Sequence, residues 1–274
     1  MSVYVITGVS KGIGFEFVKQ ISEDPNNLIV GLVRDKAGTE KKVATELGDR
    51  PNVHILHGDL TNYASLKQAA DDTAAIVGDR GVDYLVANGA LVPDFDAYDP
   101  IGALGGDDKA AELEDISATL YQTNVTGNIH LFNLFLPLVK AGTVKKVIAI
   151  TSGHADLDLI NALEIETAAI YAASKAALNV IVGKFSAQYR KEGVLFVSLS
   201  PGVVEAGHFD HVTPEQAEGL KGFMGKVVAY APHFKGPTPV DEAVRVIRAT
   251  WERISIDTGY AGAFTSHYGN KKWV

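Results

Sequence analysis

The stretch VYVITGVSKGIGFEF, residues 3–17, decides the fold. A β-favouring run ends at Thr7, and Gly8, Gly12 and Gly14 separate it from an amphipathic run. A strand ending at Thr7 and a helix beginning near Gly12 require a sharp turn. Glycine reaches backbone angles closed to other residues and puts no side chain in a ligand's way. The helix N-terminus then offers free N–H groups and a positive dipole end. These features predict a pyrophosphate cradle made of Gly8, Ser10, Lys11, Gly12, Ile13 and Gly14. The plainer reading is an ordinary glycine-rich βα turn; its place on the first strand of a βαβ unit favours the cradle.

The rest of the chain alternates in the same way. Strands are predicted at 3–7, 28–33, 53–56, 84–88, 147–151 and 194–200. They are Val-, Ile- and Leu-rich without polar alternation, which suits strands covered on both faces in a parallel sheet. Helices are predicted at 13–23, 39–47, 63–77, 113–139, 167–191 and 240–252. The pattern predicts an α/β fold: a single-domain Rossmann-type doubly wound parallel sheet flanked by helices, over residues 1–274. Two segments break the rhythm. Residues 93–108 read as a loop rich in Gly, Pro and Asp, and residues 205–239 carry four prolines and no strand pattern. Such segments serve as binding loops or as insertions without a role. The position of 205–239 after the last inner strand favours a substrate-binding loop.

Composition excludes several classes. The 274 residues include no cysteine, so disulfides, thiolate metal sites and a cysteine nucleophile are ruled out. The histidines form no metal-binding pattern: His54 and His57, three apart on a strand, point to opposite faces. The net charge is −8, and basic residues cluster only in pairs, so nucleic acid is not an expected partner. No apolar stretch reaches the ~20 residues of a membrane helix. The opening MSVYVITG does not resemble a signal peptide, and a cytoplasmic address is expected.

The glycine spacing, T-G-x3-G-x-G, is that of the short-chain dehydrogenases/reductases, and further landmarks follow in that family's order. They are GDL at 58–60, ANGA at 87–90, NVTG at 124–127, ITSG at 150–153, YAASK at 171–175 and SPGVV at 200–204. The chain therefore resembles that family. VYVITGVSKGIG, GLVRD, LVANGA and GAFTSHYGNKKW look most like a branch that includes norsolorinic-acid-type ketoreductases and C-factor-like proteins. The resemblance implies a dinucleotide cofactor. Asp59, with Leu60 beside it, would hold the adenine. The backbone at Asn88 and the loop of Pro201, Gly202 and Val204 would contact the cofactor, and Lys175 would hold the ribose. It also implies catalysis by Tyr171, Lys175, Ser152 and Asn124.

Tyr171 and Lys175 lie on one helix face about a turn apart. A nearby ammonium lowers the pKa of a phenol and brings it toward a general acid's working range. A structural Tyr with an unrelated Lys is the plainer reading of the spacing alone; the glycine turn and Asn124 favour the catalytic one. Ser152, at a strand's carboxyl end, could orient a substrate carbonyl, with Thr151 as the fallback. Ser152 precedes Tyr171 by more residues than is usual in the family. His154 lies close enough to line a substrate pocket or to be a bystander. The resemblance implies that the amide of Asn124 anchors a water leading protons toward Lys175; a plain helix Asn is the other reading.

Two positions depart from the family pattern. Ala87 replaces the first Asn of N-N-A-G, and Ala206 stands where Thr often bonds the nicotinamide amide. Arg34 and Lys11 suit a 2′-phosphate, while Asp35 lies one position late for the acid of NAD-preferring members, so NADP(H) is expected. The resulting expectation is an NADPH-dependent carbonyl reductase acting on a small molecule. Phe209, Phe223, Met224, Tyr230 and Phe234 suit a bulky or aromatic substrate, or a lid without selectivity. Imine or enone reduction, dehydration, and cofactor sensing without turnover are the alternatives. Helices 113–139 and 167–191, the second alanine-rich, resemble the family's pairing helices and predict a homodimer or homotetramer.

Overall fold

The computed structural model describes residues 2–207 and 212–274. Its strands are β1 (Val3–Thr7), β2 (Leu28–Val33), β3 (Val53–His57), β4 (Tyr84–Ala87), β5 (Lys146–Ile150), β6 (Leu195–Ser200), β7 (Val204–Glu205), β8 (Thr238–Pro239) and β9 (Phe264–Ser266). Its α-helices are α1 (Gly12–Ile21), α2 (Lys36–Leu47), α3 (Tyr63–Val77), α4 (Ala110–Tyr121), α5 (Gly127–Ala141), α6 (Leu157–Leu163), α7 (Ala169–Tyr189), α8 (Pro214–Tyr230) and α9 (Val240–Arg253).

Seven strands form one sheet in the order β3-β2-β1-β4-β5-β6-β9, and every pairing is parallel. This is the doubly wound Rossmann arrangement, whose topological switch lies between β1 and β4. The inner strands are buried on both faces because a core lies on each side. One core packs α3, α5 and α7 through residues such as Leu66, Phe132 and Leu178. The other packs α1 and α9 through Phe17, Val244 and Trp251, with Phe17 and Trp251 stacked at 4.9 Å. At the amino edge, buried Asp83 accepts from the N–H groups of Val3 (2.9 Å), Thr143 (2.9 Å) and Val144 (3.0 Å). That carboxylate ties the starts of β1 and β5 to β4 and leaves the carboxyl edge as the ligand side.

The expected strands appear within a residue or so of their predicted ends. Four differences concern the site. The helix expected over 113–139 is α4 and α5 joined by a π-helical turn at Gln122–Thr126, with the Gly127 N–H reaching the Gln122 carbonyl. The segment 205–239 is not an irregular loop. It contains α8, started by a capping box in which Thr213 and Gln216 satisfy each other's backbone and Pro214 fills the first helical position. A short helix, α6, occupies the long interval between Ser152 and Tyr171. A seventh strand, β9, extends the sheet past β6. Phe209 lies outside the described residues.

Candidate active site

The landmark residues converge on the carboxyl edge of the sheet. Gly8 (φ +73°) and Gly12 (φ +56°) occupy the left-handed region. A Cβ on Gly8 would come 2.7 Å from the Gly89 Cα, and one on Gly14 would overlap the Gly8 carbonyl oxygen. Side chains at these positions would fill the turn, so its glycines are a steric requirement. Asn88 bridges across the turn, donating to the carbonyls of Thr7 (3.1 Å) and Gly8 (3.3 Å). The Gly89 N–H donates to the Thr7 hydroxyl (2.8 Å). The α1 terminus has no side-chain cap and no acid in its first turn. An uncapped, acid-free helix start behind a glycine turn is the donor set that a dinucleotide phosphate needs, so these residues fit that group.

The surroundings sort the remaining cofactor candidates. Asp59 is half-buried after β3, its Oδ1 accepting from the N–H (2.9 Å) and hydroxyl (2.8 Å) of Thr61. Leu60 packs where a Cβ on Gly127 would overlap its carbonyl, which explains the glycine of NVTG. Gly202 (φ +83°) leaves room for the His267 ring, 2.7 Å from where its Cβ would lie. Pro201 precedes it at the end of β6, and Val204 is buried in β7. Lys11 and Arg34 are exposed at the mouth of the turn. Asp35 caps α2, accepting from the Gly38 N–H (3.0 Å), so its carboxylate is committed locally. A third cation was missed by the sequence reading: Lys42 donates to the Ser10 carbonyl (3.2 Å) and lies over Phe15 (4.2 Å). Its signal was its place two turns into α2, one face behind Arg34.

Tyr171, Lys175 and Ser152 meet beside this cradle. Ser152 lies close enough to the Tyr171 phenol to favour its ionised form. Burial pushes the Tyr171 pKa up to about 12, against a smaller lowering by Ser152. The expectation that Lys175 lowers this pKa is therefore corrected for the free protein. The Lys175 ammonium donates to the Ile150 carbonyl (3.0 Å), sits 5.8 Å from the Tyr171 ring centre, and does not offset the burial. Burial also pulls the Lys175 pKa down to about 8. Thr151 is buried and absent from the cavity wall, which leaves Ser152 as the serine or threonine in place.

Asn124 is fully buried in the π-turn. Its Oδ1 accepts from the Leu91 N–H (2.8 Å), and its amide donates to the Leu91 carbonyl (3.0 Å) and the Ser174 hydroxyl (3.0 Å). Both amide protons are used within the chain. That corrects the expectation that the side-chain amide is free to anchor a water.

The Ser152 and Tyr171 hydroxyls open onto a cavity of about 210 Å³. Its apolar wall includes Leu159 and Leu163 of α6, Phe223 and Val227 of α8, Trp273, and Val92 and Pro93 of the segment after β4. These four aliphatic and aromatic side chains of α6 and α8 pack with Trp273, itself tilted against Phe264 with ring centres 4.6 Å apart, as a small core of their own. Lys271 latches this end to α6 through Asp156 (2.9 Å), the residue that caps α6. Tyr230 also lines the cavity and Phe234 packs behind it, whereas Met224 does not reach the lining. His154 lines the cavity against Phe223 (5.1 Å), and burial lowers its pKa to about 4, so the imidazole is neutral at pH 7. Trp273 ends the stretch GAFTSHYGNKKW, which the sequence reading used for the resemblance without assigning the Trp a place in the site. Among the described residues, no group of acidic and histidine side chains could hold a metal ion. No helix among them is long and apolar enough to cross a membrane.

A family model described as short chain dehydrogenase matches residues 2–217. The chain is 73% identical over its whole length to the short-chain dehydrogenase/reductase iacC of Pestalotiopsis fici, and 53% to the short chain dehydrogenase virK of Hypocrea virens, each relative also covered in full. Among solved structures it resembles an NADPH-bound carbonyl reductase from chicken fatty liver, with a TM-score of 0.76 and 23% identity, covering 98% of each chain. It also resembles a 3-ketoacyl-(acyl-carrier-protein) reductase from Brucella melitensis complexed with NADH, with a TM-score of 0.68 and 20% identity over 97% of this chain and 96% of that one. The fold and site define an oxidoreductase of the Rossmann type. The chain belongs to the short-chain dehydrogenase/reductase family.

Trp273→Ala removes a buried wall residue and is expected to cost about 3 kcal/mol, the low end for a buried Trp because the space opens onto an existing cavity. Denaturant unfolding measures the cost, and uptake of an apolar environment-sensitive dye measures the enlarged cavity. An unchanged dye signal would show that Trp273 does not bound it.

Proposed function

We propose that the protein is an NADP(H)-dependent carbonyl reductase acting on a bulky, largely apolar ketone or aldehyde. The observation that carries this reading is that Ser152, Tyr171 and the Gly202 loop line one largely apolar cavity. When bound, the nicotinamide supplies the hydride. Ser152 holds the carbonyl oxygen in place. Tyr171, a neutral phenol at pH 7, carries the proton which that oxygen takes up as the carbonyl becomes an alcohol. Lys175 is largely protonated at pH 7 and is the cation nearest the phenolate left behind. Asn124 acts by holding Leu91 and Ser174 in register. Asp59, Leu60, Asn88, Pro201 and Val204 line the cofactor's side as the family pattern implies.

Arg34, Lys11 and Lys42 favour a 2′-phosphate, and the commitment of Asp35 to the α2 cap removes the competing acid. The 205–239 segment serves the substrate through α8. A cytoplasmic address suits the cysteine-free sequence. Assembly as a homodimer or homotetramer is supported by Tyr121 of α4 and Val180 of α7, 54% and 60% exposed.

Three measurements test this reading. Tyr171→Phe is expected to lower turnover of carbonyl substrates by ~10²–10⁴ while cofactor binding survives. NADPH oxidation is followed across ketones, quinones, imines and enones, and undiminished ketone turnover by the variant removes the role of Tyr171. Turnover of imines or enones alone would move the reading to those chemistries. NADPH is expected to bind more tightly than NADH, and Arg34→Ala to erase about tenfold of that preference through the loss of one charge-assisted contact. Equal dissociation constants in the native protein contradict the cofactor choice. A monomer mass by light scattering at micromolar concentration counts against the assembly.

A further inference from the structure

The helix that carries Tyr171 has an unusual start. Ala168, at the N-cap of α7, adopts left-handed angles (φ 54°, ψ 37°) and supplies no side-chain cap. The first four N–H groups of a helix have no partner within it. Two of them here find one 74 and 75 residues away in sequence. Asp96 Oδ2 accepts from the N–H of Ile170 (2.7 Å) and of Tyr171 itself (3.2 Å), and the Asp96 carbonyl accepts from the Ala168 N–H (2.7 Å). Asp96 is completely buried. A carboxylate at a helix N-terminus is doubly favoured, by the hydrogen bonds and by the dipole.

The other end of the Tyr171 peptide unit is held as well. The Ser174 hydroxyl donates to the Tyr171 carbonyl (2.7 Å) and accepts from the Asn124 amide (3.0 Å). The same amide fixes Leu91. Leu91 and Asp96 bracket the short segment that supplies Val92 and Pro93 to the cavity wall. The circuit closes: one segment after β4 grips the Tyr171 N–H through Asp96 and, by way of Asn124 and Ser174, its carbonyl.

We propose that Asp96 is a positioning residue for Tyr171: from the segment after β4 it clamps the first turn of α7, with Ser174 as the opposing jaw, and so sets where the phenol stands against the substrate oxygen. The proposal rests on the carbonyl-reductase reading for its catalytic consequence, and on the hydrogen bonds alone for the clamp. Displacement of a proton donor by about 1 Å lowers turnover by up to ~10²-fold. Asp96→Asn keeps an oxygen acceptor at the same place, whereas Asp96→Ala keeps none.

Amide hydrogen exchange and steady-state kinetics on the full chain separate the two parts. In the native protein the Ile170 and Tyr171 amides are expected to be protected, although no intrahelical acceptor exists for them. Asp96→Ala is expected to speed their exchange at least ~10-fold, with Asp96→Asn close to native. With a turned-over carbonyl substrate, Asp96→Ala is expected to lower kcat by ~10–100-fold while KM for NADPH moves less than ~2-fold. Asp96→Asn is expected to restore most of kcat. Unchanged exchange in Asp96→Ala overturns the clamp. Lost protection with native kcat overturns the positioning role, and so does a parallel loss of kcat and cofactor binding, which is what loosening of the whole fold produces. Should Asp96→Ala not fold, Ser174→Ala opens the other jaw, and a native kcat there overturns the proposal equally. Exchange as expected with no carbonyl turnover in the native protein supports the clamp and defeats the reductase reading instead.

Discussion

Everything on the ligand side depends on a backbone-to-backbone approach between the ends of β1 and β4. Gly8 and Gly89 are close enough that one added methyl group would put two carbons 2.7 Å apart. The contact lies at the topological switch between the two central strands, where chains leaving adjacent strands diverge to opposite faces of the sheet. Two polar links brace it, from Asn88 to the carbonyls of Thr7 and Gly8 and from Gly89 to the Thr7 hydroxyl. Because these groups satisfy one another, the loops that leave the switch are rigid where they begin. The substitution of Ala87 for the family's first Asn leaves this brace intact, since the bridging amide belongs to Asn88.

From that anchor, order is handed outward through buried hydrogen bonds. The segment leaving β4 reaches Asn124 at Leu91 and α7 at Asp96. Asn124 can meet both Leu91 and Ser174 because the helix locally widens to a π-turn, a feature found in helices mostly where a site needs it. Satisfied polar networks of this kind fix one arrangement, because any slip would leave buried donors unpaired at a cost of about 1–3 kcal/mol each. The Ser152 and Tyr171 side chains are thus placed by the backbone of separate segments, and the burial that sharpens this placement also drives the pKa values of Tyr171 and Lys175 toward their neutral forms.

What could be read from the sequence followed from how local its cause is. The strands were legible because two-sided burial demands uninterrupted Val, Ile and Leu. The glycine turn was legible because its steric requirement falls on single residues. Tyr171 with Lys175 was legible from their spacing taken together with the glycine turn and Asn124, but not the sign of the Tyr171 shift, which depends on burial that only tertiary packing creates. α8 was missed because three glycines and flanking prolines hid it, although the Thr213–Gln216 capping box was present. β9 has three residues, too few for a period to show. Asp96 was invisible for a different reason. Its partners lie more than seventy residues on, in a helix whose own cap position carries alanine. A missing local cap points to a distant one, but only the fold says which.

The division between chemistry and selectivity follows the same line. Ser152, Tyr171 and Lys175 stand at a strand end and on α7, whose positions are dictated by the sheet. The wall facing them comes from α6, α8 and Trp273, which touch the sheet little and pack chiefly on one another. The interval between Ser152 and Tyr171 is long because it houses α6, and α6 is worth its length only with Trp273 and α8 to bury its apolar face. Asp156 joins the two functions, capping α6 with one oxygen and receiving Lys271 with the other. These three pieces therefore form one cooperative unit. A change in any of them alters the shape of the cavity without reaching Ser152, Tyr171 or Lys175, so under the proposed reductase reading the compound accepted can change while the chemistry stays the same.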